Sequence, residues 1–213
     1  GKKHKHNKAA NMLETLFRVG LDFIPAMVKV ILITLLQMMQ PEDIDWVFYA
    51  LEVGLIDLVD AYRYVPVFPG HAPFSISGIW DPTAAKWVFL RLLGHAFGLA
   101  AAVQNFNRRP ALLVAVARRT MGMAVASYFD DFGLIDFSGS NGLGLNYLSL
   151  LIELFGAPQS PAKRMPMASM RVYLGQVVHL GPVVVDSTVV LEPKPNSREE
   201  SADELLDMAT ENK

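Results

Sequence analysis

Three aspartates are the residues of this sequence best placed to do chemistry. Asp57 closes an apolar run, and Asp130 and Asp131 are adjacent between two apolar stretches. Two neighbouring carboxylates repel each other and resist burial, and a divalent cation relieves that repulsion. Magnesium takes oxygen ligands from a few carboxylates and keeps the rest of its shell for water and phosphates. If Asp57 faces the pair from a neighbouring strand, three carboxylates would hold two ions, Mg²⁺ or Mn²⁺, for phosphoryl transfer.

An ordinary structural explanation of the same residues stays open. Aspartate favours turns, so the pair at 130 and 131 is also typical of a simple hairpin turn. Asp57 would then only cap the segment that follows it. Other chemistries have less support, because the sequence has no cysteine and its histidines show no metal-binding or triad spacing.

Composition sets the broad class of the protein. The chain has 213 residues, 19 of them basic and 21 acidic, and 52% are hydrophobic. These values predict one folded domain and exclude wholesale disorder or a histone-like basic surface. The absence of cysteine favours an intracellular setting, in the cytoplasm or nucleus. The most apolar run, residues 24–39, contains Lys29 and Gln37 and is shorter than a membrane span, so we expect a buried helix and no membrane.

Hydrophobic patterning predicts a mixed α+β fold in which an antiparallel sheet carries helices on one face. Helices are predicted over residues 12–40, with an interruption near Asp22 and Pro25, and over 99–119 and 147–155. Strands are predicted over 46–56, 74–80, 87–90, 171–179 and 183–191, with two more within 121–137 around the aspartate pair. Residues 138–144 are expected to form a loop.

Five short segments, in order, resemble the motifs of reverse transcriptases. Residues 56–67 (IDLVDAYRYVPV) resemble motif A, and residues 128–132 (YFDDF) resemble the Tyr-x-Asp-Asp box of motif C. Between them, residues 95–99 with Ala102 and Phe106 are similar to motif B. Phe155-Gly156 with Lys163 is similar to motif D, and Tyr173-Leu174-Gly175 to motif E. The resemblance covers residues 57–180 and implies a polymerase palm-like sheet.

The resemblance also implies a role for each matching residue. Asp57, Asp130, Asp131 and the backbone carbonyl of Leu58 would hold the two metal ions. Lys163 would supply a proton or a charge to the leaving pyrophosphate. The incoming nucleotide would lie against Tyr62, Phe97, Gly98 and Tyr128. Tyr62 would exclude a 2′-hydroxyl. Residues 173–175 would contact the primer end.

The implied activity is RNA-directed DNA polymerisation, a nucleotidyl transfer from dNTPs to a primer 3′-hydroxyl. The implied partners are an RNA template and a DNA primer, with fingers and thumb segments supplied by a larger polyprotein. On this interpretation residues 1–45 are a helical remnant of the fingers, 46–191 the palm, and 192–213 the start of a thumb or a linker.

Two alternatives stay open, one suggested by departures from the family pattern and one by the apolar run at residues 24–39. Ala96 and Val103 stand where motif B usually has proline, and residues 139–144 form a glycine-rich insertion. The first alternative is a palm-like remnant that binds or structures without turnover. The second, from a different class, is a small membrane-associated protein in which the aspartate pair is incidental.

Overall fold

The computed structural model describes residues 21–96 and 100–194. Part of the predicted fingers remnant, Phe97, Gly98 and most of the tail 192–213 lie outside the described residues. The helices are α1 (Phe23–Met38), α2 (Ala100–Met121), α3 (Leu143–Leu154) and α4 (Val183–Asp186). The strands are β1 (Leu51–Asp57), β2 (Ile76–Asp81), β3 (Lys86–Arg91), β4 (Ala124–Tyr128), β5 (Asp131–Phe137), β6 (Met165–Ala168), β7 (Met170–Tyr173), β8 (Gln176–His179) and β9 (Val190–Pro193).

A four-stranded antiparallel sheet in the order β4-β5-β1-β6 forms the centre of the fold. Successive side chains of a strand point to opposite faces. Leu51, Val53 and Leu55 of β1 therefore share one face, and all three are buried in the same hydrophobic cluster. Ile56 points to the other face and lies in a second cluster. The predicted α+β class with antiparallel pairing is confirmed.

Helices cover both faces of this sheet. Helices α2 and α3 pack on one face through Phe106, Leu113 and Leu148, as predicted. Helix α1 differs from the prediction, because Phe23, Ile24 and Val28 pack on the opposite face. That second face is also covered by a three-stranded antiparallel sheet in the order β7-β8-β9.

The β2–β3 hairpin forms a separate two-stranded sheet whose base is tied to the segment after β1. Pro66 pairs with Gly94 in an isolated antiparallel bridge, and the amide of His95 donates to the carbonyl of Val65 at 3.0 Å. The segment held in this way includes the short 3₁₀-helix Ala61–Tyr64, which follows the candidate site.

Several predicted boundaries were wrong for identifiable physical reasons. Residues 171–179 form a hairpin and not one strand, because Leu174 and Gly175 both have positive φ and make a tight turn. Helix α4 replaces part of the strand predicted over 183–191, since Pro182 begins a helical turn there. Strand β6 was not among the predicted strands, and it pairs at the sheet edge, where Pro166 is tolerated.

We predict that Gly94→Ala destabilises the protein by about 2–3 kcal/mol, because the new Cβ would lie 1.9 Å from the carbonyl oxygen of Arg63. Urea unfolding measures the change. Gly181→Ala is the matched control, since its Cβ would have no neighbour closer than 4.0 Å. Equal stability of the two variants would contradict the close approach at Gly94.

Candidate active site

The register of β1 against β5 brings the predicted aspartates together. Asp57, the last residue of β1, is the direct cross-strand partner of Asp131, the first residue of β5. Directly opposed residues of an antiparallel pair project from the same face of the sheet. Asp57 is 8% exposed. The expected convergence of residues 57 and 131 is therefore present.

A tight turn holds the third aspartate beside them. Strands β4 and β5 pair up to Tyr128 and Asp131, so the turn consists of Phe129 and Asp130. The turn therefore contains Asp130 but not Asp131, whereas both aspartates were predicted to lie in it. Phe129 has a φ of 55°, a left-handed conformation that is strained for a bulky side chain. The amide of Leu58 donates to the carbonyl of Asp130 at 3.0 Å, which fixes the turn against the end of β1.

Lys163 reaches the acidic cluster from a loop that pairs with the end of β1. The amide of Val59 donates to the carbonyl of Pro158, and the amide of Ser160 donates to the carbonyl of Asp57. A 3₁₀ turn, Pro161–Lys163, then places the Lys163 ammonium 3.2 Å and 3.3 Å from the two carboxylate oxygens of Asp57. Lys163, to which the resemblance assigns a role at the leaving pyrophosphate, is an ion-pair partner of Asp57.

Sequence reasoning missed the side chains that hold this loop. The Gln159 amide oxygen accepts a hydrogen bond from the Ser149 hydroxyl, and its amide nitrogen donates to the Ser149 carbonyl, each at 2.8 Å. Ser149 lies in α3 and is buried. The glutamine therefore joins the loop that carries Lys163 to a helix of the core. The one sequence signal was a polar pair, Gln159-Ser160, between two prolines.

The electrostatics of the cluster follow from burial and like charge. Burial first, then the charges of Asp130 and Asp57 and a hydrogen bond with Asp57, together raise the pKa of Asp131 to about 6, while Lys163 opposes them. Burial and the Asp57 charge also raise the pKa of Asp130. The Asp57 carboxylate raises the pKa of Lys163, which is 68% exposed. The carboxylates thus carry an unfavourable excess of negative charge, which Lys163 offsets in part.

An open cleft of about 660 Å³ lies over this cluster. Its lining includes Asp57, Leu58, Asp130 and Lys163, which were predicted from the sequence, and Asp60 and Ser160, which were not. Tyr62 also lines the cleft, with its ring edge-on to Phe106 at 5.3 Å, and burial and the Asp130 charge raise its pKa.

The other residues predicted to touch the nucleotide are less closely grouped. Tyr128 lines a different groove, of about 310 Å³, between α2 and β4. Phe97 and Gly98 lie outside the described residues. Tyr173 of motif E is buried, so it does not present its side chain to a primer, whereas Gly175 in the adjoining turn is exposed.

The donor set partly fits a divalent cation. The carboxylates crowd one another and have raised pKa values. Hard divalent cations bind carboxylate oxygens, and such a cation would offset the repulsion between them. Within residues 21–96 and 100–194, however, no three histidine, aspartate or glutamate side chains form a ready-made metal cage. The closest cation to Asp57 in this arrangement is the Lys163 ammonium. In the same described ranges, no helix is both long and apolar enough to span a membrane.

We predict that Asp131→Asn stabilises the metal-free protein at pH 7.5 by about 1 kcal/mol, or 2–4 °C in Tm, because it removes a half-buried, repelled charge. An aspartate whose pKa is raised on folding destabilises the protein once the pH exceeds the pKa of the same aspartate in the unfolded chain. The advantage of the variant should therefore shrink as the pH falls through 6 towards 4. Thermal unfolding in EDTA across this range measures it.

Asp43→Asn, which changes an exposed carboxylate in the 3₁₀ turn Pro41–Asp43, is the control and should leave Tm almost unchanged. A Tm advantage of Asp131→Asn that stays constant from pH 4 to pH 7.5 would contradict the raised pKa of Asp131.

Comparisons with known proteins do not assign this cleft a role. No protein-family model matches the chain, and a search of curated proteins finds no significant match. The function proposed below therefore follows from the geometry of the acidic cluster and from the motif resemblance.

Proposed function

We propose that the protein is the palm of an RNA-directed DNA polymerase, which transfers nucleotides from dNTPs to a primer 3′-hydroxyl on an RNA template. The observation that carries this proposal is the direct pairing of Asp57 with Asp131. Asp57 also lines an open cleft together with Asp130 and Lys163. These four residues come from three of the motifs that resemble reverse transcriptases. Seventy-three positions of sequence separate Asp57 from Asp130, so their meeting is not a consequence of local structure.

Each side chain has a task that its position supports. Asp57, Asp130 and Asp131, with the carbonyl of Leu58, would hold Mg²⁺ or Mn²⁺. The bound ions would supply charge neutralisation at the attacking and leaving oxygens. Lys163 carries a positive charge at the edge of the cleft, where it would bind a triphosphate and donate a proton to the departing pyrophosphate. A lysine is protonated at neutral pH, and the Asp57 carboxylate raises the pKa of Lys163 further above that range.

The architecture supports a palm-like interpretation. A central antiparallel sheet presents the carboxylates at the adjoining ends of β1 and β5 and carries two helices on one face. Tyr62 stands in the same cleft as Asp57 and Asp130. The Tyr62 ring packs against Phe106, which restricts its movement. A ring held in this way would exclude the extra hydroxyl of a ribonucleotide.

A second candidate function is a palm-like module that binds nucleic acid without turnover. One observation favours it: the Lys163 ammonium already forms an ion pair with Asp57, one of the proposed metal ligands. The two candidates differ in a measurable property, because a module without turnover needs no divalent ion. Metal binding by the chain itself separates them.

We predict that the chain binds Mn²⁺ and that Asp130→Asn combined with Asp131→Asn abolishes this binding. Electron paramagnetic resonance of free Mn²⁺ measures it without any partner. In a template–primer extension assay, with the chain joined to fingers and thumb segments, the same variant should lose roughly 10³-fold or more in rate. The reason is that charge stabilisation at the reacting phosphate would be lost.

The matched control is Asp81→Asn with Asp43→Asn, a double change of the same charge outside the cleft. It should bind Mn²⁺ and extend primers like the unaltered protein. The proposal is wrong if the Asp130 and Asp131 variant retains its fold by circular dichroism and extends primers at the original rate. Absence of Mn²⁺ binding in the unaltered chain would favour the module without turnover.

We also predict that Tyr62→Val relaxes the choice between dNTPs and rNTPs by roughly 10–200-fold, because a smaller side chain opens the cleft beside the sugar. The ratio of kcat/KM for dTTP and UTP on a poly(rA) template measures the change. Tyr64→Val, in the same 3₁₀-helix, is the control and should leave the ratio unchanged. An unchanged ratio in Tyr62→Val would remove the sugar-sensing role.

A further inference from the structure

Tyr173, the last residue of β7, sits directly beneath the acidic hairpin. Its side chain is 3% exposed and lies between Gly133 of β5 and Phe23 of α1. The rings of Tyr173 and Phe23 meet edge-on, with centroids 6.2 Å apart and an angle of 87°. A Cβ at position 133 would lie 3.2 Å from two carbons of the tyrosine ring. The glycine therefore gives the ring the space it needs under the central sheet.

The hydroxyl of Tyr173 donates a hydrogen bond to the backbone carbonyl of Asp131 at 3.3 Å. The carbonyl of Asp130, one residue earlier, accepts a hydrogen bond from the amide of Leu58. Two consecutive carbonyls of the hairpin are thus held by different elements, one by β7 and one by the end of β1. The strained turn at Phe129 adjoins both contacts.

We infer that Tyr173 is a positioning residue for Asp131, and that it couples the β7-β8-β9 sheet to the carboxylate pair. This inference rests on the proposed function, in which the Asp131 carboxylate holds a metal ion. A carboxylate can share a cation with its neighbours only if its backbone is fixed to within a fraction of an ångström. The buried hydroxyl supplies that constraint from the face opposite to α2 and α3.

The coupling has a consequence for how the site responds to its surroundings. The turn that follows Tyr173, Leu174-Gly175, adjoins the surface and was predicted from the sequence to meet a primer end. A ligand that displaces this turn would also move Tyr173 and, through the hydrogen bond of its hydroxyl, the Asp131 carbonyl. The three-stranded sheet is in this sense a part of the metal site, although it contributes no ligand.

Tyr173→Phe tests the inference, because it deletes the hydroxyl and keeps the ring against Gly133 and Phe23. In EDTA, hydrogen exchange of the Leu58 amide should accelerate at least threefold, since the hairpin that carries its acceptor is less constrained. The Mn²⁺ affinity of the full chain should fall roughly 3–10-fold, as expected for one lost hydrogen bond. In the extension assay kcat should fall by a similar factor while KM for the dNTP stays within twofold.

Tyr147→Phe is the matched control, since it deletes the same group from a tyrosine of α3 that is 52% exposed. It should change none of the three measurements. Gly133→Ala is a second variant that keeps the hydroxyl but crowds the ring, and it should shift exchange and Mn²⁺ affinity in the same direction as Tyr173→Phe.

Each outcome decides the matter. Unchanged exchange at Leu58, or unchanged Mn²⁺ affinity in Tyr173→Phe while Asp131→Asn loses it, would overturn the positioning role and leave the proposed function intact. A change in the KM for the dNTP alone, with kcat unaltered, would also overturn the positioning role. If Asp131→Asn itself leaves Mn²⁺ binding unchanged, the proposed function fails, and accelerated exchange at Leu58 would still show that Tyr173 holds the hairpin.

Discussion

The pairing of β1 with β5 is the constraint on which the site depends. Its register sets Asp57 opposite Asp131 at the end where both strands meet the turn of the hairpin. A slip of one residue would turn every side chain of β1 to the other face, so Leu51, Val53 and Leu55 would leave their hydrophobic cluster. The same burial that fixes the strand therefore fixes the carboxylate. Folding and site geometry are in this respect a single requirement.

The protein maintains this arrangement against its own electrostatics. Burial and mutual repulsion raise the pKa values of Asp130 and Asp131, and the turn that presents them has a phenylalanine at positive φ. Strain and crowded charge of this kind persist only where surrounding contacts over-determine the conformation, and they occur preferentially at functional sites. A purely structural hairpin turn, the alternative left open by the sequence, would have no reason to oppose Asp131 to a buried carboxylate. This contrast supports the proposal that the carboxylates are ligands of a cation.

Much of this frame was predictable from the sequence, and the rest was not, for physical reasons. The strands around the Tyr-x-Asp-Asp box follow from apolar runs on either side of a turn, and α2 and α3 from helical periodicity. The sequence gives no direct signal for the β1–β5 register, because it results from packing of distant residues. Strand β6 contains methionine and proline, which have weak strand signals, and α4 contains three valines that favour a strand. The ion pair of Lys163 has no local sequence signal, because its partner Asp57 lies 106 positions away.

Different elements of the core hold the loop of Lys163 and the hairpin of the aspartates. Gln159 ties the loop of Lys163 to α3, and Tyr173 ties the hairpin to β7, so the positive and negative members of the site are fixed through different parts of the core. The charge balance of the cleft therefore depends on contacts from two separate parts of the core.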